Sequence, residues 1–262
     1  MSFFEISILL ISGLLVGFIN TLAGGGSVIS LSVLMMLGLP ATVANGTNRI
    51  AILVQSMGAT SSFRQQKVLD TKKGIWLAVP AVIGSVIGAW VAIDINEKVF
   101  ERAVAVILIV MLFFIVYKPE HWLKEQKHLI EKKISIWQVI IFFFIGMYGG
   151  FIQVGVGYFL LAGIVLSAGY ELVKANAIKS LINLLFTPLA ILVFSFGDQV
   201  YWQYGLVMAG GTLAGALWAT RMAVKKGANF VRWVIIAVIL LTAAHLFGII
   251  DISGFIHSIR QT

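Results

Sequence analysis

The chain has 262 residues, 60% of them hydrophobic and 11% charged, with a net charge of +8. A soluble domain carries about 25% charged residues, and surface-to-volume scaling leaves no aqueous core able to hide this much apolar sequence. A water-soluble globular protein is therefore excluded, and a lipid bilayer is the solvent that fits. With no cysteine there is no disulfide framework and no thiolate metal site. The basic excess sits in short polar breaks between apolar runs. It reads as the positive-inside bias of membrane loops, not as a nucleic-acid footprint.

Taken in order, the apolar runs predict ten helical segments: 3–22, 27–38, 42–62, 74–93, 99–117, 136–152, 157–169, 172–196, 201–222 and 231–250. Lipid leaves no partner for loose backbone groups, so each reads as helix. The first is not read as a signal peptide, because Glu5 stands where a basic region is expected and the apolar sequence continues beyond it. Segments 27–38 and 157–169 reach only roughly 18–20 Å, short of the ~30 Å hydrocarbon core. Each follows a glycine cluster, Gly24-Gly25-Gly26 or Gly155-Val156-Gly157, which suggests a re-entrant or broken helix. The charged linker 118–135 divides the chain into a first membrane repeat, 1–117, and a second, 136–262.

Sliding the chain by 131 residues aligns the halves without a gap. Gly24 meets Gly155, Gly26 meets Gly157, Gly38 meets Gly169, and Ala44-Asn45 meets Ala175-Asn176. Loop charge then sets the orientation. Loops 63–73, 118–135 and 221–230 are rich in lysine and arginine and are placed inside, whereas 94–97 and the break at Asp198 are placed outside. Each half becomes a glycine-broken hairpin plus three transmembrane helices, the halves are inverted, and both termini fall outside. The expected fold is thus an all-α integral membrane protein of two inverted-topology repeats, multi-pass in the cytoplasmic (inner) membrane. Inverted repeats provide two arrangements of similar energy around one central site, as alternating access requires.

Two groups of residues are candidates for that site. At the glycine breaks, Gly24, Gly25, Gly26, Gly155 and Gly157 let backbone approach a ligand. The helix starting near Ser27 would point its amides and positive dipole end at an anion. The competing reading is close helix packing, which is preferred for Gly84/Gly88 and Gly211/Gly215. Asn20, Gln153 and Tyr158 flank the breaks as hydrogen-bond donors. The second group lies within segments 42–62 and 172–196: Asn45, Asn48 and Arg49, with Asn176, Lys179 and Asn183. Polar groups inside a membrane face a cavity or a partner, and two cations without an acid in either segment core favour an anionic guest. Alternatively, both cations snorkel to the interface. Glu171 is expected to pair with Lys174, and the tryptophans to form an interfacial belt. No phosphate-loop, metal-spaced or nucleophile-elbow pattern occurs, so neither a cofactor, a metal nor an enzymatic activity is expected.

The pattern resembles the sulfite exporter TauE/SafE family. The resemblance rests on Gly17-Phe18-Ile19-Asn20-Thr21-Leu22-Ala23-Gly24-Gly25-Gly26-Ser27 followed by Ala44-Asn45-Gly46-Thr47-Asn48. It rests equally on Gly149-Gly150-Phe151-Ile152-Gln153-Val154-Gly155-Val156-Gly157 followed by Ala175-Asn176-Ala177. The second motif departs from the triple-glycine form at Val156. The resemblance implies transport of sulfite or an organosulfonate and leaves direction open. The expected function is secondary transport of a small sulfur oxyanion by alternating access. An anion channel of the same architecture is the alternative; a membrane-embedded enzyme or non-transporting subunit ranks below both. The expected partners are the small anion and the lipid bilayer, without nucleic acid; a homo-oligomer is left open.

Overall fold

The computed structural model of the chain describes residues 1–93 and 124–246. The expected segment 99–117, the break at 94–97, linker residues 118–123 with Trp122, and the end of segment 231–250 lie outside the described residues. The described elements are all helical. They are α1 (Phe3–Leu22), α2 (Ser27–Met36), α3 (Ala41–Gln65), α4 (Thr71–Ile93), the short α5 (Lys127–Ile130), α6 (Ile136–Phe151), α7 (Val156–Gly163) continued by a π-helical turn (Ile164–Ala168), α8 (Leu172–Phe196) and α9 (Trp202–Leu246). Three of them, α1, α4 and α8, are long and apolar enough to cross a membrane.

Local chemistry sets the helix starts. Ser2 with Glu5 and Ser135 with Gln138 form capping boxes on α1 and α6, each satisfying two otherwise unpaired amides. Glu171 caps α8, accepting from the amides of Val173 at 2.8 Å and Lys174 at 3.0 Å. The carboxylate expected to pair with Lys174 is therefore occupied by backbone, and Lys174 instead pairs with Glu125 at 2.9 Å. A second correction concerns 221–230. The helix runs on through Arg221, Lys225 and Lys226, and the expected loop shrinks to a break at Gly227, φ 75° and ψ −175°. Arg and Lys are good helix formers, so a basic stretch need not be a coil.

Backbone conformation follows the 131-residue spacing. Gly24 and Gly155 have φ of 90° and 72°, and Gly38 and Gly169 have φ of 95° and 81°. Lys67 and Asp198, the same distance apart, have φ of 58° and 53°. Packing crosses between the halves. Helix α1 lies against the first part of α9, and α6 lies against α4. Glycines allow the approach: a Cβ on Gly13 would stand 2.6 Å from the Met208 carbonyl oxygen, and Gly84, Gly88, Gly146 and Gly150 meet partner backbone on the α4–α6 contact. The packing role expected for Gly84/Gly88 and Gly211/Gly215 is what these contacts show.

Polar contacts sort the connections between two ends of the bundle. At one end the Lys73 ammonium donates to the carbonyls of Ile130 (3.0 Å) and Lys132 (2.6 Å), and Tyr170 donates to the Asp70 carboxylate. Ser62 shares a hydrogen bond with Thr220 there, and the Gln138 amide donates to the Ser167 carbonyl. At the other end Tyr204 donates to Glu5, the Tyr201 amide to Thr47 Oγ1, and Gln199 to the Ile93 carbonyl. The basic loops thus gather at one end, and the break at Asp198 joins the N-terminus at the other.

Candidate functional site

The site forms where α1 turns into α2 and α6 turns into α7. These two turns touch. A Cβ built on Gly24 would stand 2.5 Å from the Gly157 Cα, so only glycine permits this backbone contact. Its positive φ adds a cost of roughly 1–2 kcal/mol for any other L-residue. The break in the second half is at Gly155; Gly157 already lies inside α7 and serves the approach to Gly24. Gly25 faces Tyr158, whose ring carbon Cε2 would be 2.5 Å from an added Cβ.

Each turn juxtaposes a helix end with a helix start. The carbonyls ending α1 and α6 carry the negative pole of the helix dipole, and the amides starting α2 and α7 carry the positive pole. The buried cations take the negative poles. Lys179, 1% exposed, donates to the carbonyls of Asn20 and Thr21, both at 2.9 Å, and to Asn176 Oδ1 at 2.6 Å. Arg49, fully buried, donates to the carbonyls of Gly149 (3.0 Å) and Gly150 (2.6 Å) and to Gln153 Oε1 (3.1 Å). Its guanidinium also lies 4.5 Å from the Phe194 ring centroid. Neither cation snorkels, which corrects that alternative: the unpaired carbonyls inside the bundle are nearer partners than interfacial water. No carboxylate pairs with either among the described residues.

The asparagines reinforce the arrangement. Asn45 Nδ2 donates to the Phe151 carbonyl at 3.0 Å, and its Oδ1 accepts from the Gln153 amide at 3.2 Å. Asn176 Nδ2 donates to the Leu22 carbonyl at 3.0 Å. Asn20 is committed to its own turn, accepting from the Gly26 amide at 3.0 Å and donating to Ser27 Oγ at 3.1 Å. By contrast α2 and α7 begin on Gly26 and Gly155, with no side chain capping either start. Several buried polar atoms of the site elements have no partner among the described residues: Tyr158 Oη, Thr21 Oγ1, both amide atoms of Asn48, Arg49 Nε and Asn183 Oδ1. Buried polar atoms ordinarily find a partner, so this set is the unspent hydrogen-bonding capacity of the interior.

The structure thus brings the expected residues to one region through two roles. Asn20, Asn45, Gln153, Asn176 and Lys179 hold the turns and helix ends, while Asn48, Tyr158, Asn183 and Arg49 Nε keep free bonding capacity. Two contributors were not singled out in the sequence: Phe194, an unremarked aromatic in an apolar run, and Thr21, whose place inside the first glycine motif was the available signal. A helical bundle of apolar elements that buries two touching glycine turns and two cations without a carboxylate partner among the described residues fits a membrane protein.

The chain belongs to the family described as Sulfite exporter TauE/SafE, which matches residues 9–246. It is similar to a probable membrane transporter protein of Haemophilus influenzae, 24% identical over 243 residues, covering 92% of this chain and 94% of the relative. It is likewise similar to the probable membrane transporter protein ORF9 of Sinorhizobium sp, 28% identical over 248 residues, covering 95% and 94%. The probable membrane transporter protein YfcA of Escherichia coli is 27% identical over 241 residues, covering 92% of this chain and 89% of the relative. No solved structure matches the chain.

Proposed function

We propose that the protein is a secondary transporter of a small sulfur-containing oxyanion, sulfite or an organosulfonate, working by alternating access in the cytoplasmic membrane. It has two inverted-topology repeats, 1–117 and 136–262, joined by the linker 118–135. The end carrying Lys73, Lys132 and Arg221 faces the cytoplasm. The reading carries no catalytic step.

The observation that carries this is the pair of touching turns with a buried cation behind each. A cation of full charge offsets a helix end of about half a negative charge, and an uncapped helix start adds about half a positive one. Each turn therefore presents roughly one net positive charge to the contact point of Gly24 and Gly157. Two such turns suit a small anion. The exchanged packing of α1 on α9 and of α4 on α6, together with the shared backbone spacing, supports two related halves that rock against each other about this point.

The test is sulfite and sulfonate flux into proteoliposomes, beside thermal stabilisation of the purified protein by the same anions and by matched carboxylates. A ligand of the folded state raises apparent stability by mass action. Saturable flux accelerated by counter-substrate, with a selective thermal shift abolished in Arg49→Ala, is the expected result. Steady conductance without counter-flow acceleration would replace the carrier by a channel. A shift with cations or neutral solutes alone would reject the anion.

A further inference from the structure

The bundle end bearing the basic loops contains a cavity that the transport reading does not use. It measures about 550 Å³ and lies where α4 and α6 begin. Among the described residues four lysines line it, Lys72 and Lys73 from α4 and Lys132 and Lys133 from the segment before α6, against two carboxylates, Asp70 and Glu131. Asp70 is already engaged by the Lys73 amide and the Tyr170 hydroxyl. Lys73 is engaged as well, holding two carbonyls of the linker. Lys72, Lys132 and Lys133 are exposed and form no ion pair among the described residues.

What lies beside the lysines identifies the class of ligand. Trp76 lines the same cavity, one turn beyond Lys72, and is 61% exposed. From there an uninterrupted exposed apolar face continues along α4 through Val79, Ile83 and Ile87. On α6 the matching face carries Trp137, Ile140 and Phe144, all exposed. The two helices pack on each other, and Ile83, Ile87 and Phe144 each adjoin a residue of that contact, Gly84, Gly88 and Phe143. A cationic head cavity, an interfacial indole and an apolar seam in succession match a phosphate headgroup, its glycerol and its acyl chains.

We propose that this corner is a binding site for an anionic phospholipid. Lys72, Lys132 and Lys133 hold the phosphate, Trp76 packs at the glycerol level, and the acyl chains run down the α4–α6 seam. The site depends on the chain lying in a bilayer, not on the identity of the transported solute. By tying α4 to the linker segment before α6, the lipid would couple the two halves at this end.

Native mass spectrometry of the full chain, titrated with phosphatidylglycerol, phosphatidylcholine or sn-glycerol 3-phosphate, tests this. The triple variant Lys72→Gln, Lys132→Gln, Lys133→Gln leaves Lys73 and its structural contacts in place. Each lysine near a membrane surface contributes about a factor of five, so the triple variant should weaken phosphatidylglycerol binding by roughly a hundredfold. Arginine at the same three positions should restore it. A control with Arg221, Lys225 and Lys226 changed to glutamine should bind like the parent. Unchanged retention in the first variant, or equal loss in the control, would overturn the site. Binding of sn-glycerol 3-phosphate as tight as that of the lipid would also overturn it, because the apolar seam would then contribute nothing.

Discussion

Lys179 and Arg49 stand one position apart at the 131-residue spacing, yet they hold their helix ends differently. The Lys179 ammonium has three donors and three acceptors, so its clamp on α1 is complete. The Arg49 guanidinium has five donors for three acceptors, lies against Phe194, and leaves Nε without a partner. The turns behind them differ likewise. Asn20 closes the first turn on itself through Gly26 and Ser27, whereas Gln153 reaches across to Arg49. The lesson is a division of labour between halves with a shared backbone design. The Lys179 ammonium is saturated, whereas the Arg49 guanidinium keeps spare donors.

The strongest way to break this comparison is at the point both halves share. Gly157→Val should cost several kcal/mol, since overpacking alone costs about 1–3 kcal/mol and here the obstacle is backbone. A melting temperature within a few degrees of the parent would show that the turns do not touch. Next come the clamps. Lys179→Met strands two helix-end carbonyls and Asn176 Oδ1, each at about 1–3 kcal/mol, so a loss of at least about 3 kcal/mol is expected. Arg49→Lys should destabilise less, because an ammonium can still reach carbonyls, but it should abolish the thermal shift by anions. If Arg49→Lys keeps the shift and Lys179→Arg loses it, the assignment of roles is reversed.

Smaller effects sharpen the contrast between interior and end. Asn20→Ala should cost about 1–2 kcal/mol by freeing the Gly26 amide, more than Gln153→Ala, read by chemical denaturation in the same detergent. Glu171→Ala, which removes the α8 cap, should cost about 1 kcal/mol. Glu125→Gln, which breaks a partly exposed ion pair, should cost about 0–1 kcal/mol. Alkaline pH offers a further probe of that end. Burial, reinforced by the Asp70 carboxylate, keeps the Tyr170 hydroxyl protonated well above its ordinary range. The folded state therefore holds a proton that the unfolded chain releases, and stability should fall as pH rises past the ordinary tyrosine value of 10.0. Tyr170→Phe should flatten that decline in a pH series of melting curves.

Membrane class, helical content and the two glycine breaks were legible in the sequence. Composition alone demands lipid, and lipid demands helices. Gly24 and Gly155 are legible as breaks because positive φ is a local property that few other residues tolerate, whereas Gly38 and Gly169 stand out only as a pair matched across the 131-residue spacing. The loop at 221–230 was misread because charge reports solvent exposure, not helix termination. The pairing of Glu171 with Lys174 was misread because neighbours in sequence compete with backbone amides that only a folded helix start presents.

The sequence by itself determined which segments are apolar enough for a bilayer and which polar residues within them would need a partner there. Only the tertiary structure decided what those partners are. Arg49 meets Gly149 and Gly150, and Lys179 meets Asn20 and Thr21, across a hundred residues of chain or more. Such pairs depend on which helices exchange between the halves and on glycines that bring backbones together. Hydropathy and spacing record the cost of burying a charge; they do not record the carbonyl that meets it.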